Sequence, residues 1–409
     1  MSTIHREPLG ARKGLYRRQA PESSDYANFE THTLLHDVFL AQNGKQIVAI
    51  GPPLLNLASV LTPVLLTITG WKKPIKARCQ HRARFSCYRF DLPKALHHAT
   101  SLGIEVSFGG ELRFDFQIAR QVCRPAELQL ITLQKNNEVA WILDWIQYYA
   151  HLGVDRILLY DNGSDNIAEL EQALQNLPSD VELILVRWHY AYGPSTSTRN
   201  RFCQSSQNNH AYYCFGQAAW AAHFDIDEYL VINDPDVRKG NASGELTASA
   251  DSAGGSTGQS IQGGALRRLI QRAPRSVGQL RFDSYWVPNA GATFSESSDS
   301  VMPSIRDFPY RNRAARGKAH KYVAKQQALS YANTHNCKLK VGYRRRHVKT
   351  EEAAFLHYKA LTDDWRVNAA PWKQQARRGS SEVLDERQHV KEPSVIETMQ
   401  MFESDAVLK

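Results

Sequence analysis

Two carboxylates two residues apart, Asp225 and Asp227 within the run Phe224 to Val231 (Phe-Asp-Ile-Asp-Glu-Tyr-Leu-Val), have the type and spacing to do chemistry. On an extended backbone both point to one side and Ile226 to the other. Same-facing carboxylates suit a hard divalent ion such as Mn²⁺ or Mg²⁺, which one or two carboxylates commonly hold together with substrate phosphates. The same residues could instead cap a strand and face water, and the stretch alone leaves both readings open.

The elements that must position this pair follow from periodicity. Residues 1–28 are polar and basic without an apolar repeat, which predicts a flexible arm. Residues 29–123 carry short β-like runs, ending in Ile104, Val106 and Phe108, the turn Gly109-Gly110, and Leu112, Phe114, Phe116 and Ile118, a hairpin signature. A small β-sandwich-like accessory domain is expected there. From 124 to 376 the pattern alternates strand and helix. Leu128–Leu133, Ile157–Tyr160 and Val181–Val186 read as strands, Val139–Leu152 and Ile167–Leu177 as helices. Repeated β-α-β units imply a mixed, mostly parallel sheet flanked by helices, with ligands at the carboxyl ends of the strands. A helix over Ser205–Ala222 is predicted to lead into an acidic strand, and Gln279–Val287 is a further strand. Residues 240–264, nearly all Gly, Ser, Ala, Thr and Gln, read as a flexible insertion, and 377–409 as a charged tail.

The formal net charge is +9, yet twelve Lys or Arg and no Asp or Glu lie between Phe308 and Thr350. That segment outweighs the whole chain, so the basicity is local and points to an anionic ligand or surface. The six cysteines show no Cys-x-x-Cys pair and are expected to be reduced. The N-terminus has no apolar signal core, and no continuous apolar run reaches about 20 residues. A cytoplasmic protein is expected, with peripheral membrane contact left open.

Lys135-Asn-Asn-Glu138 with Trp145, Gly153-Val-Asp155, and Tyr160-Asp-Asn-Gly-Ser164 stand in order ahead of Gln207, Tyr212, Cys214, Trp220 and Asp225-Ile-Asp-Glu-Tyr229. In these blocks the chain resembles the GT-A glycosyltransferases, close to family 92 and its bacterial family-2-like relatives. The resemblance implies a Rossmann-like GT-A domain that moves a sugar from a nucleotide-sugar, with UDP as the expected nucleotide, to a glycan, lipid-linked or protein acceptor. It implies that Asp225 and Asp227 hold Mn²⁺ or Mg²⁺ against the donor diphosphate. Asp161 would meet base or ribose, and Asn137 and Glu138 would line the loop after the first strand. A late histidine would complete the metal site, with His335 first and His357 second. The chain departs from the pattern in carrying two Asn before Glu138 and in its low-complexity insertion.

Displacing a nucleoside diphosphate develops about two negative charges, which Lys318, Lys321, Lys325, Arg344 or Arg345 could offset. Inversion needs a general base near the acceptor hydroxyl, for which Asp283 and Glu296, on either side of Trp286, are candidates. The competing reading is a non-catalytic binder of anionic ligands or nucleic acid through residues 311–349. No RNA-binding or helix-turn-helix signature supports its nucleic-acid form.

Overall fold

The computed structural model describes residues 4–12, 31–177, 180–193, 202–233, 264–288, 304–316, 320–358, 387–392 and 394–399. Its main sheet has ten strands: β1 (Ile4–Arg6), β2 (Ala126–Gln134), β3 (Arg156–Asp161), β4 (Glu182–Arg187), β5 (Ala218–His223), β6 (Glu228–Ile232), β7 (Val277–Val287), β8 (Lys321–Lys325), β9 (Arg344–His347) and β10 (Ala353–Tyr358). They lie in the order β1-β4-β3-β2-β5-β8-β7-β10-β6, with β9 also paired to β7. From β1 to β5 every pairing is parallel. Beyond β5 the sheet turns mixed, with β8 antiparallel to both β5 and β7, and β6 antiparallel to β10. This is the mixed α/β architecture expected from the alternating periodicity.

Among the described residues four helices accompany the sheet, α1 (Val139–His151), α2 (Ile167–Gln175), α3 (Phe202–Cys214) and α4 (Ala265–Gln271), and a short one covers residues 394–399. The apolar face of α1, including Trp141, Trp145 and Tyr149, joins β2, β3, β6 and β7 residues in the largest core cluster. Helix α3 has no apolar stripe. Gln204 through His210 are all buried, because the helix is enclosed between the sheet and the N-terminal module. Such a helix is expected to satisfy its polar atoms internally, and this one does so only in part, since the side-chain amides of Gln207 and Asn208 are buried without a partner among the described residues. Ser206 meets His36 at 2.8 Å, and Asn209 donates to Ala332 O at 2.9 Å.

The N-terminal module contains two four-stranded antiparallel sheets. One comprises Val64–Ile68, Ile75–Lys76, Ser101–Phe108 and Leu112–Ala119; the other comprises Asp37–Leu40, Gln46–Gly51, Arg78–His81 and Ser86–Asp91. Val38, Leu40, Ile47 and Phe90 from the second face Leu66, Ile104, Val106 and Phe108 from the first in one core. The opposite face of the second sheet, with Phe39, Val48 and Cys87, packs on Tyr160, Trp188 and Cys214 of the main-sheet domain. A sheet covered on both faces loses the alternation of a half-buried strand, and all four residues of Asp37–Leu40 are buried.

Three expectations are corrected. Part of the flexible arm is ordered: β1 pairs in parallel with β4, and Ala11–Arg12 pairs with Thr33–Leu35. Part of the charged tail is docked: His389–Lys391 pairs with Tyr310–Asn312, and Val395 and Met399 of a helix over 394–399 enter the main core. The helix expected over Ser205–Ala222 ends at Cys214, and Ala218–His223 is β5. An alanine-rich run has too little patterning to separate the two, and sheet pairing on both sides decides it. Of the insertion 240–264, only Gly264 lies within the described residues. The six cysteines are free thiols, and no described helix is long and apolar enough to cross a membrane.

Asp37 anchors the join between module and main sheet. It is fully buried, pairs with Arg6, and meets His210 Nε2 at 2.7 Å, while Tyr160 OH meets His210 Nδ1 at 2.7 Å. A neutral imidazole that donates from Nε2 and accepts at Nδ1 satisfies both contacts. Burial raises the Asp37 pKa, but Arg6 and His210 more than reverse this and hold it at about 2. Its ionisation therefore stabilises the fold above the unfolded carboxylate pKa of about 3.9, and the effect is lost as pH falls through 2. Asp37→Asn is expected to cost about 2 kcal/mol at pH 7 and progressively less below pH 4. Urea denaturation at pH 7 and pH 3 checks this, and a pH-independent difference would contradict the assignment.

Candidate functional site

β5 ends at His223, and the chain turns through Asp225, Ile226 and Asp227 into β6, with Glu228 N–H donating to Asp225 O at 3.1 Å. The acidic pair thus lies on a turn, not on the expected extended strand, and its two carboxylates separate. Asp225 Oδ2 meets Lys321 Nζ at 2.8 Å, whereas Asp227 Oδ2 meets His357 Nε2 at 3.1 Å.

Glu228 joins the two halves. Its Oε2 accepts from Asp225 N at 3.0 Å and lies 2.7 Å from Lys321 Nζ, while its Oε1 lies 3.2 Å from His357 Nδ1. Sheet register explains the grouping. Glu228 on β6 stands opposite His357 on β10, Trp286 on β7 stands beside His357, and Lys321 opens β8. From below, Tyr149 OH on α1 donates to Glu228 O at 2.8 Å and accepts from Leu230 N at 3.1 Å. Arg316 lies against His357, with its guanidinium 3.5 Å from the centroid of the Trp286 ring.

The cluster is electrostatically tight. Burial lowers the Lys321 pKa, but Asp225 and Glu228 outweigh it and the net shift is upward. Burial raises the Asp225 and Glu228 pKa values, and Lys321 reverses both, leaving Asp225 well below the usual carboxylate range and Glu228 at about 2. For His357, burial lowers the pKa and Asp227 more than compensates, bringing it to about 9.

The other sequence-predicted residues fall as follows. Asp161, at the end of β3, is fully buried. Its Oδ1 accepts from Gln134 at 2.6 Å, and its Oδ2 accepts from the Gly163 and Ser164 N–H groups at 3.0 and 3.2 Å. It shapes the loop after β3, and His189 approaches it at 3.3 Å. Asn137, in the loop after β2, accepts from Asn166 through its backbone oxygen at 2.9 Å, and Glu138 is the N-cap of α1. Both loops stand at the carboxyl ends of parallel strands, the rim where such sheets bind ligands.

His335, the first candidate for the metal-site histidine, stands near Lys321, Glu228 and Asp225 without pairing with Asp227. Its Nδ1 meets His320 O at 3.2 Å, while His357 takes the place beside Asp227. The residue keeps an exposed edge, yet surrounding protein and then the Lys321 ammonium pull its imidazole down to about 4. Lys321, a candidate donor-binding cation, is buried between Asp225 and Glu228. Asp283, the candidate base for the acceptor hydroxyl, lies away from the acidic pair. Strand alternation sends it to the opposite face of β7 from Trp286, where it meets His320, His347 and Thr350, each at 3.2 Å. Lys318 and Glu296 lie outside the described residues.

Among the described residues, no three His, Cys, Asp or Glu side chains converge as metal ligands. Asp227 Oδ2 and His357 Nε2, at 3.1 Å, nonetheless have the separation of adjacent ligands on an ion with bonds of about 2.1 Å at right angles. A carboxylate, an imidazole and diphosphate oxygens form a donor set suited to Mn²⁺ or Mg²⁺. Asp225, tied to Lys321, is not part of that pair. Glu228 and Arg316 were missed by sequence reasoning. The Asp-x-Asp-Glu block and the acid-free segment around Arg316 were the available signals.

The glycosyltransferase family 92 profile matches residues 131–249, which contain the loops after β2 and β3, helix α3 and the acidic turn. No curated protein sequence matches the chain. Among solved structures, it is similar to S. aureus TarS residues 1–349, at 10% identity and TM-score 0.29, over 57% of this chain and 60% of that one. It is also similar to HddC from Yersinia pseudotuberculosis, at 10% identity and TM-score 0.28, over 61% of this chain and 97% of that one. The chain spans 60% of the TarS chain it matches. At such scores the structural likenesses carry no argument, and the finding that bears on function is that residues 131–249 match the glycosyltransferase family 92 model.

Proposed function

We propose that the chain transfers a sugar from a nucleotide-sugar, UDP-linked, to a glycan, lipid-linked or protein acceptor, using a divalent cation held by Asp227 and His357. The observation that carries this reading is the 3.1 Å pairing of Asp227 with His357 at the end of the family-matched acidic turn. When bound, Mn²⁺ or Mg²⁺ supplies Lewis-acid stabilisation to the departing diphosphate. Lys321 and Glu228 hold the turn in place by bonding to each other and to Asp225, so the carboxylate of Asp227 is oriented before donor arrives. Arg316, beside His357 and above Trp286, is placed to meet diphosphate oxygens. Asp161 and Asn137 fix the two loops that frame the nucleotide.

Calorimetry of UDP with and without Mn²⁺ tests this. The expected result is Mn²⁺-dependent binding that weakens at least tenfold in His357→Gln and is unchanged in His335→Gln. Equal weakening in both variants, or binding indifferent to Mn²⁺, would remove the Asp227–His357 pair from the site.

A further inference from the structure

A second cleft, of about 860 Å³, opens where the N-terminal module meets the catalytic sheet. Ala126 and Ala218, the first residues of β2 and β5, line it, so it lies at the opposite end of those strands from the acidic turn. β8 links the two places. Lys321, at its start, holds Asp225 and Glu228, while Lys325, at its end, lines the cleft roughly 13 Å away at about 3.3 Å per residue.

The walls carry one sign of charge. Arg82 and Arg89 come from the module, Lys325 and Lys340 from the catalytic side, and no Asp or Glu is among the lining residues. Neutral groups hold three of these cations in place. Arg82 lies 4.8 Å from the Tyr331 ring centroid, Lys325 lies 5.0 Å from that of Trp220, and Lys340 donates to Gln327 O at 2.8 Å. Just outside, Arg78 is neutralised by Asp91 at 2.6 Å. The cleft cations are thus positioned without a carboxylate partner, and field focusing in a concave site strengthens their pull on an anion.

Hydrogen-bonding capacity is also left over. Arg89 Nε and Gln42 Oε1 are buried without a hydrogen-bond partner, and Gln42 is only 8% exposed. Buried polar atoms are normally paired, so these two mark unused hydrogen-bonding capacity in the side chains of the cleft wall. Gln217 and Gln327 add side-chain amides around them, suited to sugar hydroxyls, while the Gln46 amide donates to Asp91 at 2.7 Å. Trp220 is buried under Lys325, but the partly buried Tyr212 and Tyr213 also line the cleft, and an aromatic face suits a base or a pyranose alike, so the oligonucleotide arm of the test below decides between them.

We infer that this cleft between module and sheet binds a carboxylate- or phosphate-bearing oligosaccharide segment at a site separate from the acidic turn. Its cations recognise the acidic groups and its amides the hydroxyls. The choice of a saccharide among anions rests on the glycosyl-transfer reading; the cleft, its charge and its unpaired polar atoms do not.

The test is calorimetry of the full chain with three probes: tetragalacturonate, neutral maltotetraose and a single-stranded oligonucleotide of equal charge. Saturable binding of tetragalacturonate alone is expected, falling at least tenfold in Arg82→Ala/Arg89→Ala and in Lys340→Glu, whose position is exposed. Asp227→Asn is expected to leave this binding unchanged, and thermal melting confirms that each variant folds. The inference is overturned by no binding of tetragalacturonate, by binding undiminished in both cleft variants, or by equal binding of the oligonucleotide, which would make the cleft a nucleic-acid site. UDP-sugar hydrolysis, measured in parallel, separates the two proposals. Hydrolysis with no tetragalacturonate binding removes the cleft inference alone, and binding with no hydrolysis removes the transfer reading alone.

Discussion

Lys321→Met is expected to destabilise the chain by about 3 kcal/mol and to abolish its activity. Methionine keeps much of the lysine volume, so little of the loss is a packing defect. What changes is charge: Lys321 and Glu228 are each only 1% exposed, and removing the ammonium leaves Glu228 buried beside Asp225 without its cation. Breaking one side of a buried pair typically costs about 3–5 kcal/mol, and the lower figure allows for Asp225, which is 32% exposed and partly rehydrates. The pH dependence carries a sign. In the parent chain the Glu228 pKa of about 2 lies below its usual value, so its ionisation stabilises the fold above about pH 4.5, an effect lost as pH falls through 2. In Lys321→Met the carboxylate has lost the charge that depressed it, and the deficit should shrink as the solution is acidified. Urea denaturation between pH 4 and 8 reads the deficit and its shrinkage on acidification. A loss under about 1 kcal/mol across that range would mean that the acidic turn is not organised around this lysine.

Asp227→Asn is expected to lower sugar transfer or donor hydrolysis by about 10²–10³-fold while leaving the melting temperature within a few degrees. Asparagine keeps the shape and one acceptor oxygen but removes the charge that would face a cation. About 3–4 kcal/mol of lost transition-state stabilisation gives that range, since each 1.36 kcal/mol is tenfold in rate. Asp225→Asn should act differently. Its oxygen pairs with Lys321, so the variant should lose stability together with rate. Parallel rate and melting measurements on the two variants distinguish an active-site carboxylate from a structural one.

The strands and helices around the site were legible because their burial is one-sided or complete. Val139–Leu152 shows its helical spacing because α1 covers one face of the sheet, and Ile157–Tyr160 reads as a continuous apolar run because β3 is buried on both faces. The N-terminal hairpin was equally plain, since Gly109 and Gly110 both adopt positive φ (60° and 83°) at its turn. Ala218–His223 was hidden because alanines carry almost no periodic signal. At the site, residue types were legible but their partners were not. Which of two late histidines stands beside Asp227 depends on β10 pairing with β6 in one register, a contact across 130 residues of chain (227 to 357) that no local pattern encodes. Alternation along β7, three residues from Trp286, puts Asp283 on the opposite face of its strand. The order of the arm and tail came from pairings with β4 and with Tyr310–Asn312, again long-range, so local polarity made both look unstructured.

The central claim is that Asp227 and His357 together serve a cation-dependent transfer from a nucleotide-sugar. Its most direct test is the initial rate of UDP-sugar turnover as Mn²⁺ is titrated into the metal-stripped chain and into its Asp227→Asn, His357→Gln and His335→Gln variants. The account predicts saturable activation of the parent and of His335→Gln, with little or none in Asp227→Asn and His357→Gln. Full activity in the stripped parent, or undiminished Mn²⁺ activation in either Asp227→Asn or His357→Gln, would contradict it.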